Sequence, residues 1–184
     1  MKKFLTLLLI ILIAPFIAGL YGIVHDQLTY TISHEYYTRF KFYQFGLCAM
    51  GNEAILPNPR QAVAVVGFMA TWWMGLPIGI ILGLVGLIHN DNRQMFRITM
   101  KAFAVTIIVT FLTGLIGLGY GELVLADKPK DCFTGWFLPE NLNDFKNFIS
   151  VGSMHNFSYL GGMIGLSAGI IYSIWGKINI IQKQ

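Results

Sequence analysis

Residues 4–24 read FLTLLLIILIAPFIAGLYGIV and contain no Asp, Glu, Lys or Arg. Crossing the roughly 30 Å of hydrocarbon in a bilayer takes about 20 apolar residues in a helix. Three later stretches have similar length and composition, and only Glu122 interrupts them with a charge. We therefore predict four transmembrane helices, at about 4–24, 61–88, 102–125 and 149–175, joined by longer loops at 25–60 and 126–148.

The composition supports an integral membrane protein. Apolar residues make up 55% of the 184 residues and charged residues only 12%, whereas soluble domains carry about 25% charged residues. Lys2, Lys3 and the run that follows also fit the start of a secretory signal peptide. However, the run continues to Val24 and no clear A-x-A site ends it. The fold class predicted is one all-α membrane domain over 1–184, a four-helix bundle that keeps its first helix.

The charges predict the orientation. With the N-terminus in the cytoplasm, the inner segments hold one acid, Asp91, against seven basic residues: Lys2, Lys3, Arg93, Arg97, Lys101, Lys177 and Lys183. The outer segments hold six basic residues and the other eight acids. This asymmetry follows the positive-inside rule, so we expect both termini in the cytoplasm and a location in the inner (plasma) membrane. The formal charge of +4 then reflects topology, and a nucleic-acid partner is set aside.

Small residues recur at three- or four-residue spacing in three of the predicted helices. The glycines are Gly75, Gly79 and Gly83; Gly114, Gly117 and Gly121; and Gly161, Gly165 and Gly169. Such tracks let helix backbones approach closely in lipid, so they predict a tightly packed bundle. The helix that packs against each track belongs either to the same chain or to a second copy. Pro77 removes a backbone hydrogen bond in the second helix, which makes it either a hinge or a static bend.

The outer face is predicted to carry short interfacial helices. After Ser33, a good N-cap, Tyr36, Phe40 and Tyr43 share one helical face. Before it, the alternation over 28–33 predicts a short extended segment, and an interfacial turn is expected just ahead of the fourth span. Cys48 and Cys132 both fall in the outer loops, where a disulfide and two free thiols are equally open.

Three ionisable residues from three helices are expected at one depth. His25 lies 22 residues after Lys3, Glu122 lies 21 after Lys101, and His155 lies 22 before Lys177. At 1.5 Å per residue, all three lie roughly 32 to 33 Å from these basic anchors, at the outer edge of the hydrocarbon. Ionisable groups inside a membrane are costly and mark functional sites by default.

Two imidazoles and a carboxylate form the ligand set of open non-haem metal sites, and they suit iron, zinc or manganese. We therefore predict a metal site of His25, Glu122 and His155. Further ligands or proton carriers would come from Asp26, Glu35 and His34, with polar support from Tyr120, Asn156, Ser158 and Tyr159. Haem held by two histidines is a weaker prediction, because His25 lies at a predicted helix end. A proton-handling site without metal, or simple interfacial hydrogen bonds, also fit these residues.

Three classes of function remain open from the sequence. The first is an outer-face membrane enzyme or redox protein that uses this site for redox or hydrolytic chemistry. The second is a small transporter or channel subunit, which with four helices would need to form a homo-oligomer. The third is an accessory subunit that docks its glycine faces on a larger membrane complex. The sequence names no substrate for any of them.

Overall fold

The computed structural model describes residues 1–181, and Lys183 lies outside that range. The fold is all-helical, with no strand in the described residues. The helices are α1 (Lys2–Ile32), α2 (Phe42–Gln44), α3 (Pro59–Gly86), α4 (Asn92–Tyr120) and α5 (Phe145–Ile181). A π-helical turn, Tyr37–Lys41, precedes α2, and a second, Gly121–Leu125, extends α4. Helices α1, α3, α4 and α5 are each long and apolar enough to cross a membrane, as predicted.

Helix α1 is longer than its apolar run. It continues to Ile32, so the extended segment predicted over 28–33 is wrong. The hydroxyl groups of Thr29 and Thr31 donate to carbonyls one turn back, at Asp26 (3.2 Å) and Gln27 (2.9 Å). These bonds let alternating threonines remain in a helix, which the two-residue period did not reveal. His25 therefore lies well inside α1 rather than at its end.

Helices α1 and α3 form one tight antiparallel pair. Gly75 and Gly79 pack against Ala14, and nearer the N-terminus of α3 Gly67 packs against the backbone of Gly22. A Cβ atom at any of these glycines would collide with the neighbouring helix. Because lipid tails are as apolar as the helices, the hydrophobic effect does not bring helices together in a membrane. Close backbone packing of this kind does so instead.

Helices α4 and α5 form the second antiparallel pair in the same way. A Cβ atom at Gly165 would lie 2.6 Å from the carbonyl oxygen of Thr106, and one at Gly121 would lie 2.6 Å from Cα of Ser150. The glycine tracks predicted from the sequence therefore pack against other helices of the same chain. The two pairs meet at a smaller core, formed by Ile10, Ala14, Leu82, Met95, Ala102 and Phe103.

The segments 33–58 and 126–144 fold together over one end of the bundle, and we call them the cap. Its aromatic core includes Tyr37, Phe42 and Phe133, which pack in one cluster with Phe148 of α5. The two segments are tied by buried Glu35, whose carboxylate accepts the backbone N–H groups of Asn143 (3.1 Å) and Asp144 (2.7 Å). Arg39 pairs with the same carboxylate at 2.7 Å and also reaches Glu53 at 2.9 Å.

We expect Gly165→Leu to lower the free energy of unfolding by about 1–3 kcal/mol, because the new side chain must push α4 away from α5. Gly119→Leu is the matched control, since a Cβ atom there meets nothing within 4 Å. Thermal unfolding in detergent, followed by circular dichroism, measures the difference. Equal stability of the two variants would contradict the glycine-packed pair.

We expect Glu35→Gln to lower the free energy of unfolding by about 2 kcal/mol. The substitution leaves Arg39 with one fewer carboxylate and weakens two hydrogen bonds to backbone N–H groups. The control is Glu122→Gln, whose carboxylate is 54% exposed and lies 3.7 Å from Lys146; exposed pairs of this kind contribute roughly 0–1 kcal/mol. The readout is the rate of limited proteolysis within the cap together with the unfolding temperature. A Glu35→Gln variant that resists protease like Glu122→Gln would rule out the proposed role of the carboxylate.

Candidate functional site

Two of the three residues predicted to share a site are brought together, and Asp26 joins them. His25 and Asp26 are successive residues of α1, and His155 projects from α5. They are 4%, 2% and 7% exposed. One ligand atom from each lies within 4.8 Å of the others, so we call these three residues the His/Asp cluster.

Asp26 lies between the two histidines. Its Oδ1 atom accepts a hydrogen bond from Nδ1 of His25 at 3.1 Å. The same oxygen lies 3.4 Å from Nε2 of His155. The rings of His25 and His155 meet edge to face, with centroids 4.8 Å apart. One carboxylate oxygen is therefore shared by two imidazoles from different helix pairs.

The hydrogen bonds fix which nitrogen of each ring carries a proton. Nδ1 of His155 lies 2.9 Å from the carbonyl oxygen of Val151, and because a carbonyl only accepts, Nδ1 must donate. A neutral His155 then presents the lone pair of Nε2 to Asp26 Oδ1. Two acceptors that face each other at 3.4 Å in a buried space repel unless a positive ion lies between them. That ion is either a proton or a metal cation.

Further side chains hold the two rings in place. Ser158 lies 3.1 Å from Nε2 of His25, and the Tyr36 ring stacks on His155 at a centroid distance of 4.9 Å. The hydroxyl groups of Tyr37 and Thr29 are 2.6 Å apart. Burial raises the pKa of Tyr36 and of Tyr37, so both remain neutral phenols. The cap thus closes the cluster from one side with aromatic rings.

Buried Lys41 contributes a positive charge on the cap side of the cluster. Its ammonium group lies over the rings of Tyr36, Phe40 and Phe45, at 5.8, 5.4 and 5.5 Å from their centroids. Desolvation lowers the pKa of Lys41, and the charge of Asp26 acts against that shift. The cap therefore places one positive charge near the cluster without a direct bond to it.

On the other side, the cluster borders a cavity between the two helix pairs. The cavity has a volume of about 90 Å³ and is lined by residues of α1, α3, α4 and α5. His25, Asp26 and His155 form part of its wall, and Ala14, Ile78 and Phe103 lie at the far end. A group bound at the cluster would therefore face an apolar space inside the bundle.

Glu122 lies apart from the cluster. It is 54% exposed and its only charged partner among residues 1–181 is Lys146, at 3.7 Å. The cause is helix rotation: Gly121 faces Ser150 of α5, so the next side chain points away from the bundle. Glu122 also lies nearer the cap than His155, because the part of α4 that faces Ser153 and Phe157 is Gly117, more than one turn before Glu122.

The other predicted residues lie at the cluster, in the cap or at the surface. Ser158 bonds His25, and Tyr159 lines the cavity. Glu35 lies in the cap and pairs with Arg39. The exposed residues are His34, Tyr120 and Asn156. Cys48 and Cys132 are not bonded to each other, and α3 passes Pro77 as one continuous helix.

Tyr36 and Tyr21 were not predicted as site residues. Tyr21 lies one helical turn before His25, with ring centroids 5.7 Å apart, and its hydroxyl group is buried without a hydrogen-bond partner among the described residues. The four-residue spacing to His25 was a usable signal for Tyr21. The contact of Tyr36 depends on how the cap folds back, and no local pattern encodes that.

We expect Asp26→Asn to leave the metal-free protein folded, since an NH2 group in the place of Oδ1 can donate one hydrogen to Nε2 of His155 and the other to Nδ1 of His25. His25 then carries its own proton on Nε2, where the Ser158 hydroxyl accepts it. Asp26→Ala removes both interactions and should cost about 1–3 kcal/mol. The measurement is thermal unfolding of EDTA-treated protein. If Asp26→Asn were as unstable as Asp26→Ala, a protonated histidine paired with the carboxylate would explain the cluster better.

Comparisons with protein-family models, with curated proteins and with solved structures returned no match for this chain. The His/Asp cluster and the adjoining cavity are therefore the features from which a function can be inferred.

Proposed function

We propose that this multi-pass membrane protein binds one divalent transition-metal ion through His25, Asp26 and His155. The observation that carries the proposal is the pair of facing acceptors, Asp26 Oδ1 and His155 Nε2, 3.4 Å apart. A metal ion bound to both atoms turns their repulsion into attraction. His25 would supply the third ligand from the adjacent position of the same helix.

The distances suit a metal ion. Zinc bonds of 2.0–2.1 Å in tetrahedral geometry place neighbouring ligand atoms ~3.3 Å apart. The separations here are 3.1 Å for His25 Nδ1 to Asp26 Oδ1 and 3.4 Å for His155 Nε2 to the same oxygen. Binding would require His25 to move its proton to Nε2, where the Ser158 hydroxyl at 3.1 Å can accept it as a hydrogen bond.

The surroundings resemble those of metal-binding histidines in general. A ligating histidine usually donates its other ring N–H to a carbonyl or carboxylate, which orients the ring. His155 does so to Val151 at 2.9 Å. The second ring, that of His25, has Ser158 in the corresponding position.

Two imidazoles and one carboxylate favour non-haem iron, zinc or manganese. Three protein ligands leave a coordination position open, as in catalytic metal sites. Here an open position would face the cavity, so a metal could polarise a bound oxygen or activate water for redox or hydrolytic chemistry. Haem fits poorly, because Asp26 occupies the space between histidine rings whose centroids are only 4.8 Å apart.

We also propose that the cap lies on the outer side of the cell's inner membrane and that both termini lie in the cytoplasm. Supporting this, Lys3 donates to the carbonyl of Leu87 at 3.0 Å and Lys177 donates to Asn90, so basic residues gather at the end opposite the cap. The positive-inside rule assigns such an end to the cytoplasm. The cluster then belongs to the outer half of the bilayer.

The hypotheses of a transporter and of an accessory subunit have less support. Continuous α3 lacks the break at Pro77 that discontinuous transporter helices use for substrate binding. The glycine faces that a partner complex could occupy are already filled by α1, α4 and α5. A homo-oligomer or a larger complex would have to use the lipid-facing surfaces instead.

The test is metal binding by the purified full-length protein in nanodiscs. We expect one equivalent of Zn²⁺ per chain by elemental analysis after loading and washing. His155→Ala should lower the affinity by at least about tenfold, because even outer-shell changes cost 10–100-fold. His34→Ala is the matched control, since His34 is exposed in the cap.

Three outcomes are informative. Stoichiometric zinc in the wild type and in His34→Ala, with loss in His155→Ala, supports the site. A wild-type protein that stays folded and binds no Zn²⁺, Mn²⁺ or Fe²⁺ overturns it and leaves a proton between Asp26 and His155. Equal loss in both histidine variants would point to surface binding and also contradict the proposal.

A further inference from the structure

The cavity beside the His/Asp cluster has walls that are apolar although three threonines contribute to them. Thr71 donates to the Ala18 carbonyl at 2.8 Å, and Thr110 donates to that of Thr106 at 2.7 Å. Thr106 in turn donates to the Gly165 carbonyl at 3.1 Å. All three hydroxyl groups are satisfied by backbone, so they have no donor left for an occupant of the cavity.

Unsatisfied polar atoms occur among the lining residues only near the cluster, within the described part of the chain. These atoms are the Tyr21 hydroxyl, Nε2 of His155 and Oδ2 of Asp26, all buried and without a hydrogen-bond partner. All three residues line the cavity. Such atoms cost free energy unless a partner is supplied. The cavity therefore has one polar end, at the cluster, and an apolar remainder.

The size and position of the cavity limit what can fill it. An apolar cavity of about 150 Å³ in another protein stays dry and binds benzene, and the space here is about 90 Å³. Because this cavity is smaller but partly open, it suits a small ring or a short carbon chain, part of which can extend beyond it, rather than a whole lipid. Tyr159 lines the cavity and is also 45% exposed, so the cavity lies close to the bundle surface, where a molecule dissolved in the membrane could enter.

We propose that this cavity binds a membrane-dissolved molecule that has a single hydroxyl group on a small apolar body, such as a phenol or a short alcohol. Oδ2 of Asp26 is a buried acceptor without a partner, and it remains one whether a proton or a metal ion lies beside Nε2 of His155, so the polar group of the ligand must donate a hydrogen bond. The inference rests on the proposed metal site and deepens it, because a bound metal would leave an open coordination position for the hydroxyl oxygen. The apolar body lies between Ala18, Ala70 and Ile107.

The probe for the test is 4-ethylphenol, compared with ethylbenzene, which has the same apolar body without the hydroxyl group. Binding to metal-free protein in nanodiscs is measured by saturation-transfer NMR and by the shift in unfolding temperature. Ala70→Leu and Ala18→Leu each fill the cavity, because both residues line it. Ala104→Leu is the matched control, since Ala104 is exposed on α4 and does not line the cavity.

We expect 4-ethylphenol to raise the unfolding temperature of the wild type and of Ala104→Leu, with binding at least about tenfold weaker in both cavity-filling variants, as a loss of roughly 1.4 kcal/mol would give. Ethylbenzene should bind more weakly than 4-ethylphenol. Equal 4-ethylphenol binding by Ala104→Leu and both cavity-filling variants, or equal binding of the two probes by the wild type, would overturn the inference.

The two proposals fail separately. The phenol measurement uses metal-free protein, so its result stands whether or not the cluster binds metal. Co²⁺ binding, followed by visible absorption, should be unchanged in Ala70→Leu. If Co²⁺ binds and 4-ethylphenol does not, the cavity inference falls and the metal site remains; if 4-ethylphenol binds and no metal does, the metal site falls and the cavity remains.

Discussion

A carboxylate oxygen held against an unprotonated imidazole nitrogen in a buried space needs a positive ion. This constraint governs the contact between Asp26 and His155, at 3.4 Å, because the bond from His155 to the Val151 carbonyl fixes the proton on the other nitrogen. Burying such a contact in a membrane protein is costly without compensation. The arrangement is most simply explained as a site for a cation, with the cavity as the space where a ligand of that cation would lie.

The packing of the bundle is what makes the contact possible. Glycines let α1 pack closely against α3 and α4 against α5, while fewer residues hold the two pairs to each other. His25 and Asp26 belong to one pair and His155 to the other, and their contact therefore bridges the two halves. The cap covers this bridge with Tyr36, and the Glu35 carboxylate ties the two cap segments together. Tight packing within pairs leaves room for a cavity between them.

Much of this could be predicted from the sequence, since apolar run length and glycine spacing depend on local chemistry alone. Four helices and the close approach along their glycines follow from those patterns. The common depth of His25 and His155 also followed from counting residues along each helix. The position of Glu122 did not follow from counting: it lies nearer the cap than His155 and points to the surface beside Lys146, because Gly121 is the residue that faces Ser150 of α5 at that turn. The extended pattern of 28–33 was overridden by threonine hydroxyls that bond within the helix, and this extension is what buries His25 and Asp26.

The most direct measurement of the central claim is the X-ray absorption spectrum of the zinc-loaded protein, which reports the atoms bound to the metal. A site formed by the His/Asp cluster predicts a first shell of nitrogen and oxygen at ~2.0–2.1 Å, with the outer-shell scattering of two imidazoles, one of which disappears in His155→Ala. A first shell without imidazole scattering, or a spectrum that His155→Ala leaves unchanged, would contradict the account.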